Sequence, residues 1–388
     1  MENKKYSMLL IALYCHEGHI KRVIEHLKAK NPLVELTILT EKVEVMKNVL
    51  KDKSINIIKY DVPSFGNHIQ FRWLRFLIIK YKQQLFFAKF CRGKKYDIVN
   101  VHFANRYMSY VCKYLRAMSP NLVITPWGSD ILRRDFTALK QLSVIYNSAD
   151  YILTFPHTIL GQKIIKEMGV APEKFVGNFF GSEMVDFAIK NGDNITETMS
   201  KDYFGVQDRY VITCGYNLNR AQRHLTIIDA IGNVKDKLPS NLTLLFPMTY
   251  GEDIPDYVQL CKEKCKTNNL SAIFLTKYMS LEELYKMRKA TDMFVHIQST
   301  DASSASVREY ILCDKKIVHG SWIKYPELEC FSPLFYYPVD DLQHLGETIV
   351  KAYNSDKIKQ SDKLLSSIKN EGWETTASKM NDFFMSIV

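Results

Sequence analysis

Met293-Phe-Val-His-Ile297 is followed four residues later by Asp301-Ala-Ser-Ser-Ala-Ser-Val-Arg-Glu309. The short apolar run is typical of a buried strand, and the segment after it is typical of a helix that opens at the strand's carboxyl end. Such a helix directs unpaired backbone N–H groups and the positive end of its dipole toward whatever lies above the sheet. This arrangement predicts a binding site for a diphosphate.

The residues at the helix opening are small, so the backbone can approach a ligand closely: Ser303, Ser304, Ala305 and Ser306. Glu309 lies one to two turns further on, where its carboxylate can accept hydrogen bonds from the two hydroxyls of a ribose. The alternative is an amphipathic helix whose acids face water. We favour recognition of a nucleotide diphosphate.

The stretch from Phe274 to His296, together with the acid-x7-Glu segment, resembles the C-terminal half of family-4-type glycosyltransferases. The resemblance implies the GT-B fold, an α/β architecture of two Rossmann-like parallel-sheet domains facing a central cleft. It also implies retaining transfer from a nucleotide diphosphate sugar. Here the first acid is Asp301 rather than the family's Glu, and Glu309 matches the family's ribose-binding acid.

A chain of 388 residues, 46% of them hydrophobic, exceeds what one hydrophobic core usually organises, so two domains are expected. The eight cysteines are scattered, with no C-x-x-C pair and no secretory leader ahead of them. These features predict a reduced, cytoplasmic environment.

The formal charge is +10, and residues 1–100 hold 19 Lys and Arg against 9 Asp and Glu, a difference of +10. Such a basic region can attract nucleic acid, an anionic membrane or an anionic substrate. Neither an RNA-binding signature nor zinc-finger spacing occurs, so nucleic acid is not expected as a partner.

The segment 71–90 combines aromatic and basic residues and is broken by charges, so it cannot span a bilayer. Arg72, Arg75, Lys82 and Lys89 share one side of a helix, as in interfacial membrane helices. The alternative is a core-packed helix with a solvated basic edge. We predict reversible membrane binding through residues 71–95, with apolar insertion by Phe71, Trp73, Phe86 and Phe87.

Strand-like and helix-like segments alternate along the chain, which predicts parallel sheets in two domains. The alternation lapses around residues 186–208, a polar stretch interpreted as a linker. The predicted boundaries are 1–185 for an acceptor-side domain, 186–208 for the linker, 209–370 for a nucleotide-sugar-binding domain, and 371–388 for a C-terminal helix that packs back on the first domain.

Three phosphate- or metal-binding patterns are absent: G-x-G, the P-loop and D-x-D. No metal or other cofactor is therefore expected, and side chains and helix ends must neutralise the leaving diphosphate. The loop from Gly215 to His224 carries Arg220 and Arg223, which offer bidentate donors. Their alternative role is that of solvated loop arginines.

Two further loops follow predicted strands in the second half. Pro247-Met-Thr249-Tyr250-Gly251 resembles a short motif of enterobacterial Fuc4NAc transferases that act on lipid-linked sugars, although a plain loop explains it equally. Lys277 and Tyr278 follow the next predicted strand. We assign Thr249, Tyr250, Lys277 and Tyr278 to donor binding.

The first half supplies candidates at three strand ends. Gly18 allows a close backbone approach to the donor, with His16 beside it. His102 and Asn105 end one strand and Trp127 the next; with His16 they are assigned to acceptor binding. Asp130 is the acid best placed to orient an acceptor hydroxyl, and its alternative role is a helix N-cap.

The family resemblance, taken with these residues, implies a metal-independent glycosyltransferase. We expect it to act on a lipid-linked saccharide acceptor in surface polysaccharide or glycan biosynthesis, peripheral at the inner face of the cell membrane. Two alternatives stay open: a GT-B nucleotide-sugar epimerase and a non-catalytic sugar-nucleotide-binding protein. The residues assigned to catalysis are Asp130, Asp301, Arg220 and Arg223.

Overall fold

The computed structural model describes residues 3–13, 15, 17–62, 72–177, 179–251, 255–301, 303–332 and 334–388. The chain divides into two compact units. Unit 1 comprises residues 1–181 and 373–388, and unit 2 comprises residues 182–372.

Unit 1 is built on a six-stranded parallel sheet in the order β3-β2-β1-β4-β5-β6. Its strands are β1 (Ser7–Ile11), β2 (Glu35–Thr40), β3 (Asn56–Lys59), β4 (Ile98–His102), β5 (Asn121–Thr125) and β6 (Tyr151–Ile152). Its helices are α1 (Glu17–Lys30), α2 (Val43–Val49), α3 (Arg72–Phe90), α4 (Cys112–Met118), α5 (Ser129–Leu132), α6 (Phe136–Ser148), α7 (Ile159–Met168) and α17 (Trp373–Ser386).

Unit 2 repeats this architecture, with a six-stranded parallel sheet in the order β12-β11-β10-β7-β8-β9. Its strands are β7 (Tyr210–Cys214), β8 (Leu242–Pro247), β9 (Ser271–Leu275), β10 (Met293–His296), β11 (Lys316–Gly320) and β12 (Tyr337–Val339). Its helices are α8 (Glu183–Asn191), α9 (Glu197–Tyr203), α10 (His224–Val234), α11 (Pro255–Thr267), α12 (Leu281–Ala290), α13 (Ala305–Leu312), α14 (Pro326–Glu329), α15 (Leu345–Asn354) and α16 (Asp362–Lys369).

Both sheets reverse their strand order beside the first strand, at β1/β4 in unit 1 and at β7/β10 in unit 2. Open parallel sheets bind ligands outside the carboxyl ends of the strands at such a reversal. The fold therefore points to two edges, one in each unit, where site residues should be sought.

Apolar clusters cover both faces of each sheet, because parallel strands are buried on both sides. The C-terminal helix α17 belongs to the cluster on one face of unit 1. Its Trp373 ring stacks on His26 of α1 with centroids 4.7 Å apart. Ala377, Met380 and Phe384 of α17 are also buried there.

Residues 186–208, predicted to be a linker, instead lie within unit 2 and contain most of α8 and all of α9. Thr196 caps α9, and Lys201 of this helix pairs with Asp292 at 3.0 Å. Met184 and Ile195 join a small apolar cluster with Tyr285 of α12. The prediction failed because polar, well-capped helices that need few apolar contacts look like a linker in sequence.

The described helices include none that is long and apolar enough to cross a bilayer. Helix α3 nevertheless exposes an apolar stripe, formed by Trp73, Leu77, Tyr81 and Leu85. Phe86 and Phe87, predicted to insert into a membrane, pack into the core of unit 1 instead. That part of the prediction was wrong because those two side chains lie on the opposite face of the helix; Phe71 lies outside the described residues.

Candidate active site

Helix α13 opens where the acid-x7-acid segment predicted it, at the carboxyl end of β10. Ser304 is its N-cap, and the Ser304 hydroxyl accepts a hydrogen bond from the Val307 N–H at 3.3 Å. Ala305 is its first residue, and Ser303 and Ser306 lie on either side of these two. The first backbone N–H groups of α13 therefore lie at the start of a helix that follows the carboxyl end of β10.

Glu309 is held by a buried arginine that no sequence signal identified. The Arg288 Nε and Nη2 atoms of α12 donate to Glu309 Oε2 at 3.0 and 2.9 Å. Only 5% and 12% of the two side chains are exposed. Within the described part of the chain Glu309 Oε1 accepts no hydrogen bond. One carboxylate oxygen is thus anchored by Arg288, and the other has no partner among the described residues.

Asp301, the other acid of the pair, is committed to contacts inside unit 2. Its Oδ1 accepts from the Ser303 N–H at 3.3 Å, and its Oδ2 accepts from the Tyr325 hydroxyl at 3.0 Å. His296 Nε2 lies 3.5 Å from the same Oδ2. Burial favours the neutral acid, but the contacts with His296 and Tyr325 outweigh it and lower the pKa of Asp301.

Behind Asp301 lies a pair of buried histidines at the ends of β10 and β11. The Nδ1 atoms of His296 and His319 are 2.9 Å apart, and the rings are stacked. His319 Nε2 lies 3.0 Å from the Ile323 carbonyl oxygen, so it donates there and its Nδ1 accepts from His296. Burial lowers the pKa of His319 to about 3, and the ring is neutral.

The loop between β7 and α10 brings its polar residues close to the backbone. Gly215 has φ +65°, and a Cβ there would lie 3.0 Å from the side chains of Gln222 and His224. Gln222 Nε2 donates to Gln298 Oε1 at 2.8 Å. His224 is fully buried, and its burial lowers the pKa to about 4.

Arg220 and Arg223 lie in this loop as predicted but stack on different rings. The Arg220 guanidinium lies 5.2 Å from the Tyr257 ring centre, and that of Arg223 lies 5.2 Å from the Trp322 ring centre. Arg223 has φ +60°, an uncommon conformation for a residue other than glycine and one that clusters at functional sites.

The loop after β8 is fastened to the loop after β7. The Leu218 N–H donates to the Tyr250 carbonyl at 2.7 Å, and a Cβ on Gly251 would lie 2.5 Å from the Leu218 carbonyl oxygen. Gly251 is therefore required by the close approach of two backbones. Tyr250 exposes 60% of its surface, and Tyr278 of the next loop exposes 85%. Thr249 directly precedes Tyr250, and Lys277 directly precedes Tyr278.

The edge of unit 1 carries His102 at the end of β4. Thr125 Oγ1 donates to Asn100 Oδ1 at 2.8 Å, which leaves Asn100 Nδ2 to donate to His102 Nε2 at 3.2 Å. Burial lowers the pKa of His102 to about 3, so the ring is neutral and its proton is on Nδ1. No described residue accepts from that Nδ1.

Trp127 stands beside His102, with ring centroids 6.1 Å apart, and also contacts Phe180 at 5.2 Å. The indole Nε1 is buried and donates to no described residue. Phe103, directly after β4, has φ +54°. This edge therefore offers two unsatisfied hydrogen-bond donors among aromatic rings.

Asp130 is fully buried in the first turn of α5. Its Oδ1 accepts from the Trp127 N–H at 2.9 Å, and its Oδ2 has no hydrogen-bond partner among the described residues. Burial raises the pKa of Asp130 to about 6. The N-cap of α5 is Gly128, so the alternative that Asp130 is the N-cap was wrong.

The remaining candidates of unit 1 are less directly placed. Gly18 is the second residue of α1, and Asn105 Oδ1 accepts from the Tyr107 N–H at 3.0 Å in a local turn. His16 lies outside the described residues. No cluster of three or more His, Cys, Asp or Glu side chains suited to a metal ion occurs in the part of the chain that the structure describes.

The sequence-based prediction missed four residues of this site, because each of them contacts partners that are distant along the chain: Arg288, His296, His319 and Tyr325. Arg288 precedes Glu309 by 21 positions, and Tyr325 follows Asp301 by 24. A histidine at the end of a buried strand was the one available signal, and it fits a core position equally well.

Residues 9–155 match the family model described as glycosyl transferase 4-like. No curated protein matches the sequence. The match falls in the first half of the chain, whereas the motif resemblance lies in the second.

Solved structures with the same fold cover nearly the whole chain. Anabaena Alr3699/HepE in complex with UDP and glucose is 16% identical, with a TM-score of 0.61 over 98% of this chain and 97% of that one. A glycosyltransferase from Rickettsia africae is 13% identical, with a TM-score of 0.69 over 99% and 98%. The lipopolysaccharide outer core galactosyltransferase WaaB is 13% identical, with a TM-score of 0.66 over 98% and 100%. The predicted GT-B fold and the resemblance to GT-B glycosyltransferases are confirmed.

Proposed function

We propose that the protein is a glycosyltransferase that moves a sugar from a nucleotide diphosphate donor to a hydroxyl of a lipid-linked saccharide in glycan biosynthesis. The observation that carries this proposal is the anchored carboxylate of Glu309 behind the opening of α13. A fixed acid and a helix N-terminus, side by side, match a ribose and a diphosphate. The match of residues 9–155 to the glycosyl transferase 4-like model supports the same role.

In unit 2 the donor diphosphate is expected to meet the first turn of α13 and the loop that carries Arg220 and Arg223. These groups supply positive potential without a metal ion. Asp301 accepts a hydrogen bond from Tyr325 and lies beside His296. We therefore propose that Asp301 positions the neighbouring loop and does not contact the sugar directly. Anabaena Alr3699/HepE has been solved in complex with UDP and with UDP-glucose, so UDP-sugars are the first donors to test.

In unit 1 the acceptor is expected at the edge formed by His102, Trp127 and Asp130. His102 Nδ1–H and the Trp127 indole N–H are donors, and Asp130 Oδ2 is an acceptor, without described partners. Because all three atoms are buried, they reach an acceptor sugar only when the side chains that cover them move aside. The raised pKa of Asp130 suits a group that takes up a proton near neutral pH. The exposed stripe of α3 supports peripheral membrane association, for which we propose the inner face of the cell membrane.

A thermal-shift screen with UDP-, GDP- and dTDP-sugars tests the donor assignment. A donor at about 100 times its Kd should add roughly 2.7 kcal/mol to the free energy of unfolding. The same donors are then incubated with polyprenyl-diphosphate-linked saccharides, and the lipid product is identified by mass spectrometry. Donor binding without any transfer or hydrolysis would identify a non-catalytic binder, and a free epimer would identify an epimerase.

A further inference from the structure

A cation–aromatic cluster fastens α3 to the segment that follows β4 in unit 1. The Phe76 ring of α3 contacts the rings of Tyr107 and Tyr110, each with a centroid distance of 5.7 Å. The Arg106 guanidinium lies 5.1 Å from the rings of both Phe76 and Tyr107. The cluster therefore connects α3, with its exposed apolar stripe, to the chain segment that follows His102.

Lys80, one turn further along α3, is oriented by the same cluster. Its Nζ lies 4.3 Å from the centre of the Tyr110 ring. No carboxylate of a described residue pairs with Lys80, Arg106 or Lys113, which distinguishes them from cations neutralised within the fold. An unpaired cation held against a ring has lost part of its hydration and conformational freedom, so it binds an anion at lower cost.

An open groove of about 480 Å³ lies beside this cluster, between α3, α4 and α6. It is lined by Lys80, Gln84, Ser109, Tyr110, Lys113 and Arg116, among others, and no acid occurs among its described lining residues. Arg116 pairs with Asp150, which leaves Lys80 and Lys113 as the cations available to a ligand. The Ser109 hydroxyl donates to the Gln141 carbonyl at 2.6 Å and the Gln84 amide donates to the Tyr110 carbonyl at 3.3 Å. The two ammonium groups are therefore the donors that the groove offers to phosphate oxygens.

The groove adjoins the exposed apolar stripe of α3. Because a helix turns by about 100° per residue, Lys80 and Gln84 lie on the side of α3 next to Leu77 and Tyr81. Arg75, Lys82 and Lys89 lie on the other side of the stripe. An apolar strip bordered by an acid-free groove matches a molecule that joins a long hydrocarbon tail to a multiply charged phosphate group.

We propose that this groove binds the diphosphate of a polyprenyl diphosphate carrier, with Lys80 and Lys113 as its ligands and the prenyl chain lying along the stripe of α3. The inference rests on the proposed function, since it assigns a place to the diphosphate of the lipid-linked acceptor. It adds a recognition site for the lipid that is separate from the sugar-binding edge at His102 and Trp127.

The test compares binding of the full chain to two kinds of zwitterionic vesicle, doped with a polyprenyl diphosphate or with phosphatidylglycerol at matched surface charge. The parent protein should bind the diphosphate vesicles at least tenfold more tightly. Lys80→Gln/Lys113→Gln should lose that preference. Lys82→Gln/Lys89→Gln, which removes the same charge from the other side of the stripe, should weaken both kinds of binding and keep the preference. Melting temperatures check that both double variants are folded. The conservative variant Lys80→Arg keeps the positive charge and should keep the preference for diphosphate vesicles.

Equal binding of the parent to both vesicles, or equal loss of preference in the two double variants, would overturn the proposal. Inorganic pyrophosphate is added as a competitor: full displacement at concentrations equal to that of the lipid diphosphate would assign the groove to a free anion instead. Donor binding and sugar transfer are assayed separately. A chain that prefers the diphosphate vesicles but transfers no sugar would keep this inference and refute the proposed function, and the reverse outcome would refute only the inference.

Discussion

At the scale of single residues, the two acids of the predicted motif differ in their partners. Glu309 pairs with Arg288 through one oxygen only, whereas Asp301 uses both oxygens within unit 2. The sequence predicts the position of both side chains relative to β10 and α13. It does not predict their availability, because that depends on Arg288, His296 and Tyr325, which reach the site only in the folded chain.

Substitution of Glu309 tests the ribose assignment. Glu309→Ala leaves Arg288 buried and unpaired, which destabilises unit 2, so Glu309→Gln is the better variant. Loss of a charge-assisted bond costs roughly 1.5–3 kcal/mol, which weakens donor binding by about 10- to 100-fold. Isothermal titration measures the donor Kd, and turnover should fall with it. The matched control is Glu197→Gln, which alters the ion pair with the buried Lys315 and touches none of the proposed donor-binding residues. A donor Kd within twofold of the parent's would refute the assignment.

Asp130 gives a prediction about stability and pH. Its folded-state pKa is about 6 against an ordinary value of 3.8, so the native state holds the proton more tightly than the unfolded state. The free energy of unfolding therefore falls as the pH rises from about 4 to about 6, because the buried carboxyl must lose its proton in the folded state. Asp130→Asn should raise the free energy of unfolding at pH 7.5, by about 3 kcal/mol at most, and by much less at pH 4.5.

The measurement is chemical denaturation of parent and variant at the two pH values. An equal change in the free energy of unfolding at the two pH values would show that burial does not raise the pKa of Asp130. Activity should fall in the same variant, because an amide cannot take a proton from the acceptor. A stabilised but inactive enzyme is the expected signature of a functional group whose burial costs stability.

At the scale of elements, apolar periodicity predicted most strands and helices of both sheets. The strands β3 and β12 were not predicted, because each is a short edge strand with few apolar residues. Helices α8 and α9 were interpreted as a linker for a related reason. Short polar elements are stabilised by caps and by distant partners such as the Lys201–Asp292 pair, and neither contribution appears in local hydropathy.

Helix α3 carries the prediction of membrane binding. We expect reversible, salt-sensitive association with anionic vesicles, since each Lys or Arg near such a surface contributes about 1 kcal/mol. Arg72, Arg75, Lys82 and Lys89 changed together to Gln should weaken sedimentation with vesicles at least tenfold. A second variant, Trp73→Ser/Leu77→Ser/Tyr81→Ser, should remove the apolar contribution and its resistance to salt.

The control changes four exposed lysines of unit 2 to Gln: Lys237, Lys266, Lys359 and Lys363. It alters the net charge equally and should leave vesicle binding within twofold of the parent's. If the control releases the protein as well as the α3 variant does, binding depends on net charge alone. If the α3 variants unfold, the helix is a core element and the membrane assignment fails.

At the scale of the whole molecule, two α/β units with the same strand order place one predicted site edge in each. The proposed donor edge carries cations and a helix N-terminus, and the proposed acceptor edge carries neutral donors and one acid. We therefore predict that transfer continues in EDTA, since Arg220, Arg223 and α13 supply the positive potential. Turnover is measured after chelation and again after addition of Mg²⁺ or Mn²⁺. Activity that is lost in chelator and restored by either ion would establish a metal site.

Local sequence by itself determined the alternation of strands and helices, the two-sheet architecture and the positions at which site residues follow strands. It could do so because burial on both faces of a parallel strand and the period of a helix are written in neighbouring residues. Tertiary structure alone decided which unit contains residues 186–208, which oxygen of Glu309 is anchored, and which face of α3 is exposed. These outcomes depend on contacts between residues far apart in the chain, and such contacts form only when the sheets and helices pack together.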